Sequence, residues 1–212
     1  MTRAIPRLEL WSGLACNGGA RLSTAGFIKN WIDAETTNAE QGEESFPFVL
    51  PLTSEAAAIV RETHVVRIWR SDSDWDEWIV RKVAKKRDLG GRVTVTCGPV
   101  SYLLAEAMEF VAEWQVTDPG GDPLIEFGAS GTPTDLLQTY LIDNPKVSAR
   151  LGFLGLGTIA PTAEVSVTVS NDSPQSFINK VIAQSQIVEG APFLFSLERN
   201  GSTSYDITVS AI

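Results

Sequence analysis

Histidine is almost missing from this chain of 212 residues, where His64 is the single one. Ser-His-Asp and Cys-His catalysis both need a histidine that the fold sets beside a nucleophile. His64 falls between a short helix and a strand, where capping or packing is its expected role. Cysteine is scarce as well: Cys16 and Cys97 are too few for a disulfide scaffold and suit buried free thiols in a reducing compartment. Long apolar runs are also lacking. A membrane helix needs roughly 20 apolar residues, and the best stretch, residues 100–114, is interrupted by Glu106, Glu109 and Glu113. The opening MTRAIPRLEL has no apolar core of a secretory signal, so a soluble protein is expected.

Basic residues thin out along the chain. Residues 1–106 carry 13 basic and 14 acidic side chains, and residues 107–212 carry 4 and 12, so most of the net charge of -9 lies in the second half. Such a surface repels phosphate, which disfavours tight DNA binding. Motifs of nucleotide or metal chemistry are incomplete in the same way. Gly152, Gly155 and Gly157 have the wrong spacing for a dinucleotide fingerprint, and no lysine completes a phosphate loop. Asp72, Asp74 and Asp76 resemble the opening of a calcium loop, but Glu77 stands where glycine is needed and Val83 where glutamate is needed, so a solvated hairpin is expected. Ser130 lacks the second glycine of a nucleophile elbow and reads as a loop serine. Glu109 and Glu113 could form a carboxylate pair, but nothing places them across a cleft. No catalytic, cofactor or metal residue is therefore assigned, and the expectation is a protein that is not an enzyme.

What the sequence does contain is alternation. Phe46, Phe48, Leu50 and Leu52 recur with period two, as do Val93, Val95 and Cys97 between Arg92, Thr94 and Thr96, and Val165, Val167 and Val169 between Ser166 and Thr168. Phe193, Phe195 and Leu197, then Tyr205, Ile207 and Val209, flank Arg199-Asn200-Gly201-Ser202, which predicts a hairpin closed by a type I′ Asn-Gly turn. Ser173-Pro174 reads as a helix start before Phe177, Ile178, Val181 and Ile182, and Thr132-Pro133 as another before Leu136, Leu137, Tyr140 and Leu141, stopped by Asn144-Pro145. Short helices are also expected over residues 54–62 and 100–108. Residues 118–123, 128–133 and 152–157 read as loops.

The order of elements predicts a mainly β chain with short helices, of the α+β class. In each half a strand leads to a helix and then to strands joined by a tight turn, which suggests a weak repeat of a small barrel or sandwich with a packed helix. Residues 1–110 form the first unit, 111–160 a bridging region and 161–212 a second, partial unit.

Six tryptophans are many for this length. Trp75 and Trp78 flank the acidic turn and suit anchoring of a neighbouring subunit, with stacking on sugars as the alternative. Lys82, Lys85, Lys86 and Arg87 form the one basic cluster, expected at a strand edge, where lysines discourage stray pairing or meet a partner's carboxylates.

The run Glu44-Ser-Phe-Pro-Phe-Val-Leu-Pro-Leu, the alanine-rich helix after it, then Val65-Val-Arg-Ile-Trp-Arg, Glu77-Trp-Ile-Val-Arg and Arg92-Val-Thr-Val-Thr-Cys-Gly-Pro-Val-Ser-Tyr-Leu-Leu resemble the N-terminal region of baseplate hub proteins of long-tailed bacteriophages. The likeness covers residues 8–107 as a pattern of elements, and residues 173–209 look like the start of the second tube-like barrel of those hubs. It implies a virion tail-tip protein assembled in the host cytoplasm, a trimer capping a sixfold tube, with tube, distal tail, tip or fibre proteins as partners. It also implies transient, non-specific passage of DNA through a channel, for which Asp118, Asp122, Glu126 and Glu164 are candidate lumen carboxylates. Hub proteins generally continue beyond this point, so another chain is expected to complete the second barrel, or the sequence is a shortened form. A hexameric distal tail or tube protein and a carbohydrate-binding tail module are the alternative readings.

Overall fold

The computed structural model describes residues 7–22, 27–28, 31, 45–86, 91–106, 126–170, 172–201 and 204–212. The chain is mainly β with short helices. It divides into two compact units, Met1–Tyr102 and Leu103–Ile212.

The first unit is built on a five-stranded sheet in the order β1-β3-β4-β5-β2. Its strands are β1 (Arg7–Trp11), β2 (Phe46–Pro51), β3 (Val65–Trp69), β4 (Trp75–Lys86) and β5 (Arg92–Pro99), all antiparallel to their neighbours. Alternation decides which face is dry. Leu8, Leu10, Phe46, Phe48, Leu50, Val66, Ile68, Trp78, Val80, Val93, Val95 and Cys97 are buried in one core, each large side chain contributing about 1.5–3 kcal/mol of transfer free energy. Leu52, expected to extend that row, lies beyond β2 and is 38% exposed. Helix α1 (Glu55–Ile59) starts where the sequence predicts, with Ser54 Oγ accepting from the Ala57 amide at 3.2 Å, and lays Ala56 and Ala57 on the core. Strand β4 carries a bulge at Arg81, between Val80 opposite Cys97 and Lys82 opposite Thr96. The extra residue flips the alternation. Val83 thereby turns toward the core, and Arg81 lies over the Tyr102 ring at 3.5 Å.

Helix α2 (Tyr102–Glu106) follows β5; residues 107 and 108 of the predicted helix, Gly90 of the predicted turn and the 118–123 loop fall outside the described residues.

The second unit has two small sheets. Strand β6 (Glu126–Gly131) pairs with β8 (Val165–Ser170), and β10 (Ser204–Ala211) lies between β7 (Leu154–Ile159), which it meets in parallel, and β9 (Phe193–Asn200). Two stretches read as loops from their glycines, 128–133 and 152–157, are thus largely strands β6 and β7. The β7 glycines are there for space: a Cβ on Gly155 would collide with the Asp206 carboxylate, and one on Gly157 would lie 2.5 Å from Thr208 Oγ1. Ser130 accordingly sits in a strand, its Oγ 2.8 Å from Ser166 Oγ. Asn144-Pro145 does not simply end a helix. Helix α3 (Pro133–Leu137), capped by Thr132 as predicted, runs into a π-helical turn (Gln138–Ile142), and Asn144 Oδ1 then caps a further helix, α4 (Pro145–Leu151), by accepting from the Lys146 and Val147 amides. Helix α5 (Pro174–Glu189) begins at the Ser173 cap, buries Phe177, Ile178, Val181 and Ile182 and ends at Gly190 in the left-handed region.

Asp172, just before that cap, is 6% exposed and takes bonds from the Ser170 amide, Ser176 Oγ and Lys180 Nζ, the last at 2.6 Å. Burial alone would raise its carboxyl pKa, but the three donors and the lysine charge outweigh burial and hold it below its ordinary range. The β9–β10 hairpin is present, with a different turn from the predicted one. Asn200 pairs with Ser204, so three residues make the connection, and Gly201 supplies a φ of +61° while Asn200 remains in β9. Phe193 is buried, but Phe195 and Leu197 are only half-buried.

In each unit a strand runs into a serine-capped helix and then an antiparallel hairpin: β2-α1-β3-β4 in the first, β8-α5-β9-β10 in the second.

Gly201→Val should destabilise the protein by about 1 kcal/mol or more, because a β-branched residue is strained at positive φ; an unchanged melting temperature would count against this turn. Asp172, with its folded pKa below the ordinary 3.8, adds stability that is fully present above the unfolded pKa and is lost as pH falls through the folded one. Urea titrations from pH 7 to pH 3 should show a steeper acid loss for the wild type than for Asp172→Asn.

Candidate functional site: a charged and aromatic face on the first sheet

The face of the first sheet opposite its apolar core holds a regular array. Register places Glu9, Arg67 and Glu77 side by side across β1, β3 and β4. Arg7, Trp69 and Trp75 form the neighbouring row on one side, and Trp11, Val65 and Ile79 the row on the other. The three charged residues are buried, with Glu9 4%, Arg67 7% and Glu77 5% exposed.

Their partners explain how three charges lie there. Arg67 Nε donates to Glu77 Oε1 at 3.1 Å, and the Ala15 amide donates to the same oxygen at 2.9 Å from a 3₁₀ turn (Ala15–Asn17). The Arg67 guanidinium lies between two indoles, 3.4 Å from the Trp11 ring centre and 4.4 Å from that of Trp75. Both stacks favour the cation, because each ring presents the negative face of its quadrupole. Glu9 Oε2 accepts from Trp69 Nε1 at 2.9 Å and Trp11 Nε1 at 3.2 Å, and its Oε1 accepts from Arg21 Nη1 at 3.4 Å. Trp69 and Trp75 pack 5.8 Å apart, and Phe27 meets Trp69 edge-on at 6.3 Å. Cys16 lies beside this row, and burial, reinforced by the Glu77 charge, pushes its thiol pKa up. A thiol held in its neutral form is a poor nucleophile. The array therefore acts as a rigid, desolvated brace, with its carboxylates occupied by donors.

Strand β3 does not alternate, and the burial of Arg67 and Glu77 depends on β1 and β4 lying on either side in one register. The sequence signal that pointed here was the tryptophan count.

The predicted anchors separate. Trp75 belongs to the array, while Trp78 points to the opposite face, 9% exposed and 6.0 Å from Phe46 in the core. Their spacing of three puts them on opposite faces of one strand. Lys82, Lys85 and Lys86 are exposed on β4, and Arg87 lies outside the described residues. Of the four lumen candidates, Glu126 and Glu164 are exposed in the second unit, and Asp118 and Asp122 lie outside the described residues, as do Glu109 and Glu113. His64 Nδ1 accepts from the Arg61 amide at 3.3 Å, and burial together with the Arg61 charge lowers its pKa. In the acidic turn Asp72 pairs with Arg7 at 2.5 Å, and Asp76 pairs with Arg70. Cys97 is a buried free thiol whose pKa burial raises. A shallow depression on α5 is lined by Ser173, Gln175, Ser176, Asn179, Lys180 and Ala183, and its lysine is the one bound to Asp172.

Arg67→Ala would leave Glu77 buried without its counter-ion and should cost about 3–5 kcal/mol in urea denaturation. A loss below 1 kcal/mol would remove the brace as a source of stability.

No protein-family model matches the chain, and no curated protein matches its sequence. Among solved structures it is similar to the 43 kDa tail protein of prophage MuSo2 from Shewanella oneidensis, with a TM-score of 0.55 and 10% identity, over 97% of this chain and 53% of that one. A tail protein from Neisseria meningitidis MC58 and the prophage tail protein gp18 from Listeria monocytogenes EGD-e align at a TM-score of 0.49, with 9% and 10% identity, each over 95% of this chain and 50% of theirs. The chain thus spans about half the length of these proteins, and its fold, along nearly its whole length, is one also found in the Shewanella prophage tail protein.

Proposed function

We propose that this chain is a structural subunit of a phage tail tip, a baseplate hub or adaptor that joins the tail tube to the host-contacting part and lines the channel for DNA. The observation that carries this reading is the fold shared with a prophage tail protein over 97% of the chain. The likeness of residues 8–107 to hub proteins supports the finer assignment. On this reading the protein resides in the virion tail, contacts tube, distal tail, tip or fibre proteins, and works by assembly instead of catalysis. Exposed Glu126 and Glu164 suit a channel wall, where carboxylates keep contacts with the phosphate backbone weak. A distal tail or tube protein in a hexameric ring is the nearest rival. The carbohydrate-binding reading loses support, since it rested on Trp75 and Trp78 and the second is in the core.

Native mass measurement of the purified chain, followed by imaging of the assembly, tests the proposal. A ring of three copies is the expected result. Six equivalent copies would favour a tube or distal tail protein, and a chain that stays monomeric would overturn the ring reading. A pore lined mainly by Lys and Arg would overturn the lumen assignment.

A further inference from the structure

The outer face of the first sheet changes character along β4. Where β1, β3 and β4 overlap it holds the buried Arg67 array, and beyond the bulge at Arg81 its side chains are exposed. There Lys86 of β4 stands directly opposite Arg92 of β5, and Ala84 opposite Thr94, all four exposed. Val49 and Pro51 of β2 continue these two rows, half-buried. Neither cation has an ion-pair partner among the described residues. Like charges directly across two strands repel, so the single chain carries this pair at a cost.

The sheet of β7, β10 and β9 holds the opposite case. Tyr205, Ile207 and Val209 of β10 are buried on one face. On the other, Glu198 of β9 stands directly opposite Asp206 of β10, Leu194 and Ser196 lie along β9, and β7 presents Gly155 and Gly157. Glu198, Ser196, Leu194 and Gly157 are exposed, and Asp206 is half-buried. Ser196 Oγ donates to Glu198, and Ser204 Oγ and Asn200 Nδ2 donate to Asp206, so neutral groups hold both carboxylates and no cation pairs with either among the described residues. Among all cross-strand pairs of the described sheets, Lys86 with Arg92 and Glu198 with Asp206 are the two of like charge, and their signs are opposite.

We infer that these two faces meet, the Lys86 and Arg92 pair of one copy lying on the Glu198 and Asp206 pair of the next copy of the same chain. The inference rests on the ring reading above and names the surfaces that would form the ring. Two repulsions within chains become attractions between them, and small residues at Ala84, Thr94, Gly157 and Ser196 let the sheets pack face to face. Because the two surfaces differ, the contact is head-to-tail, the kind that closes into a ring when the rotation allows. Other charged surfaces fit less well. The outer face of the β6–β8 sheet carries one carboxylate, Glu126, at its end. Arg21 and Arg70 are held by Glu9 and Asp76, and Lys146 and Arg150 stand on the short helix α4.

Sedimentation equilibrium of the wild type, Lys86→Glu, Glu198→Lys and the double variant, with their melting temperatures, tests this. Each single reversal replaces a repulsion inside the chain with an attraction, so the melting temperature should hold or rise while self-association weakens about fivefold or more. The double variant should recover part of the association, and Lys86→Glu combined with Glu126→Lys should not. A wild type that assembles and ignores both reversals overturns this inference and leaves the ring reading standing. Weakening with no recovery in the double variant overturns the pairing of these two faces, recovery through Glu126→Lys overturns the choice of the β9–β10 face, and a wild type that never self-associates overturns both the inference and the ring reading. If a reversal lowers the melting temperature, Lys86→Ala and Glu198→Ala remove the charges alone, and unchanged association in both would overturn the inference.

Discussion

A guanidinium withdrawn from water loses several kcal/mol of hydration, and it stays buried only where other charges and π faces replace that water. Arg67 has both, with Glu77 on its edge and the Trp11 and Trp75 indoles on its two faces. The arrangement exists only in one register of β1, β3 and β4. A slip by one residue in any of them would move a charge to the apolar side and a Leu, Ile or Trp to the polar side. The row is thereby a registration device as well as an interaction. Both faces of these strands are covered where β1, β3 and β4 overlap, and beyond Val80 strand β4 outruns β3.

The second unit is held differently. Its helices start at Thr132, Asn144 and Ser173, each accepting amide bonds that a helix end would otherwise leave unmade. Its parallel pair, β7 with β10, comes close enough to need Gly155 and Gly157 opposite Asp206 and Thr208. Glu189, at the end of α5, accepts from the Thr162 and Ala163 amides and ties the entry of β8 to that helix. Local capping and close backbone approach here do what a buried ion row does in the first unit.

The tail role proposed above gives sheets with covered faces and exposed charges a clear use. Assembly between copies must be selective without disturbing the fold of each copy, and exposed charges change association far more than stability. Exposed Lys82, Lys85 and Lys86 lie on β4 in the first unit, and exposed Glu126 and Glu164 lie in the second, so among the described residues the charge asymmetry of the chain reaches its surface.

By itself the sequence determined the features that depend on neighbours along the chain. Period-two runs placed the buried faces of β2, β5, β8 and β10, and Ser54, Thr132 and Ser173 marked helix starts, because alternation and capping are short-range. Features that depend on a residue distant in sequence were decided only by tertiary structure. The glycines at 155 and 157 read as loop until Asp206 and Thr208 come opposite them, and Asn144-Pro145 reads as a stop until a further helix forms behind it. Trp75 and Trp78 look alike in sequence, yet one joins a charged array and the other the apolar core. Which face each sees was settled when β3 and β4 paired, and whether a charge is buried follows from what the neighbouring strand sets across from it.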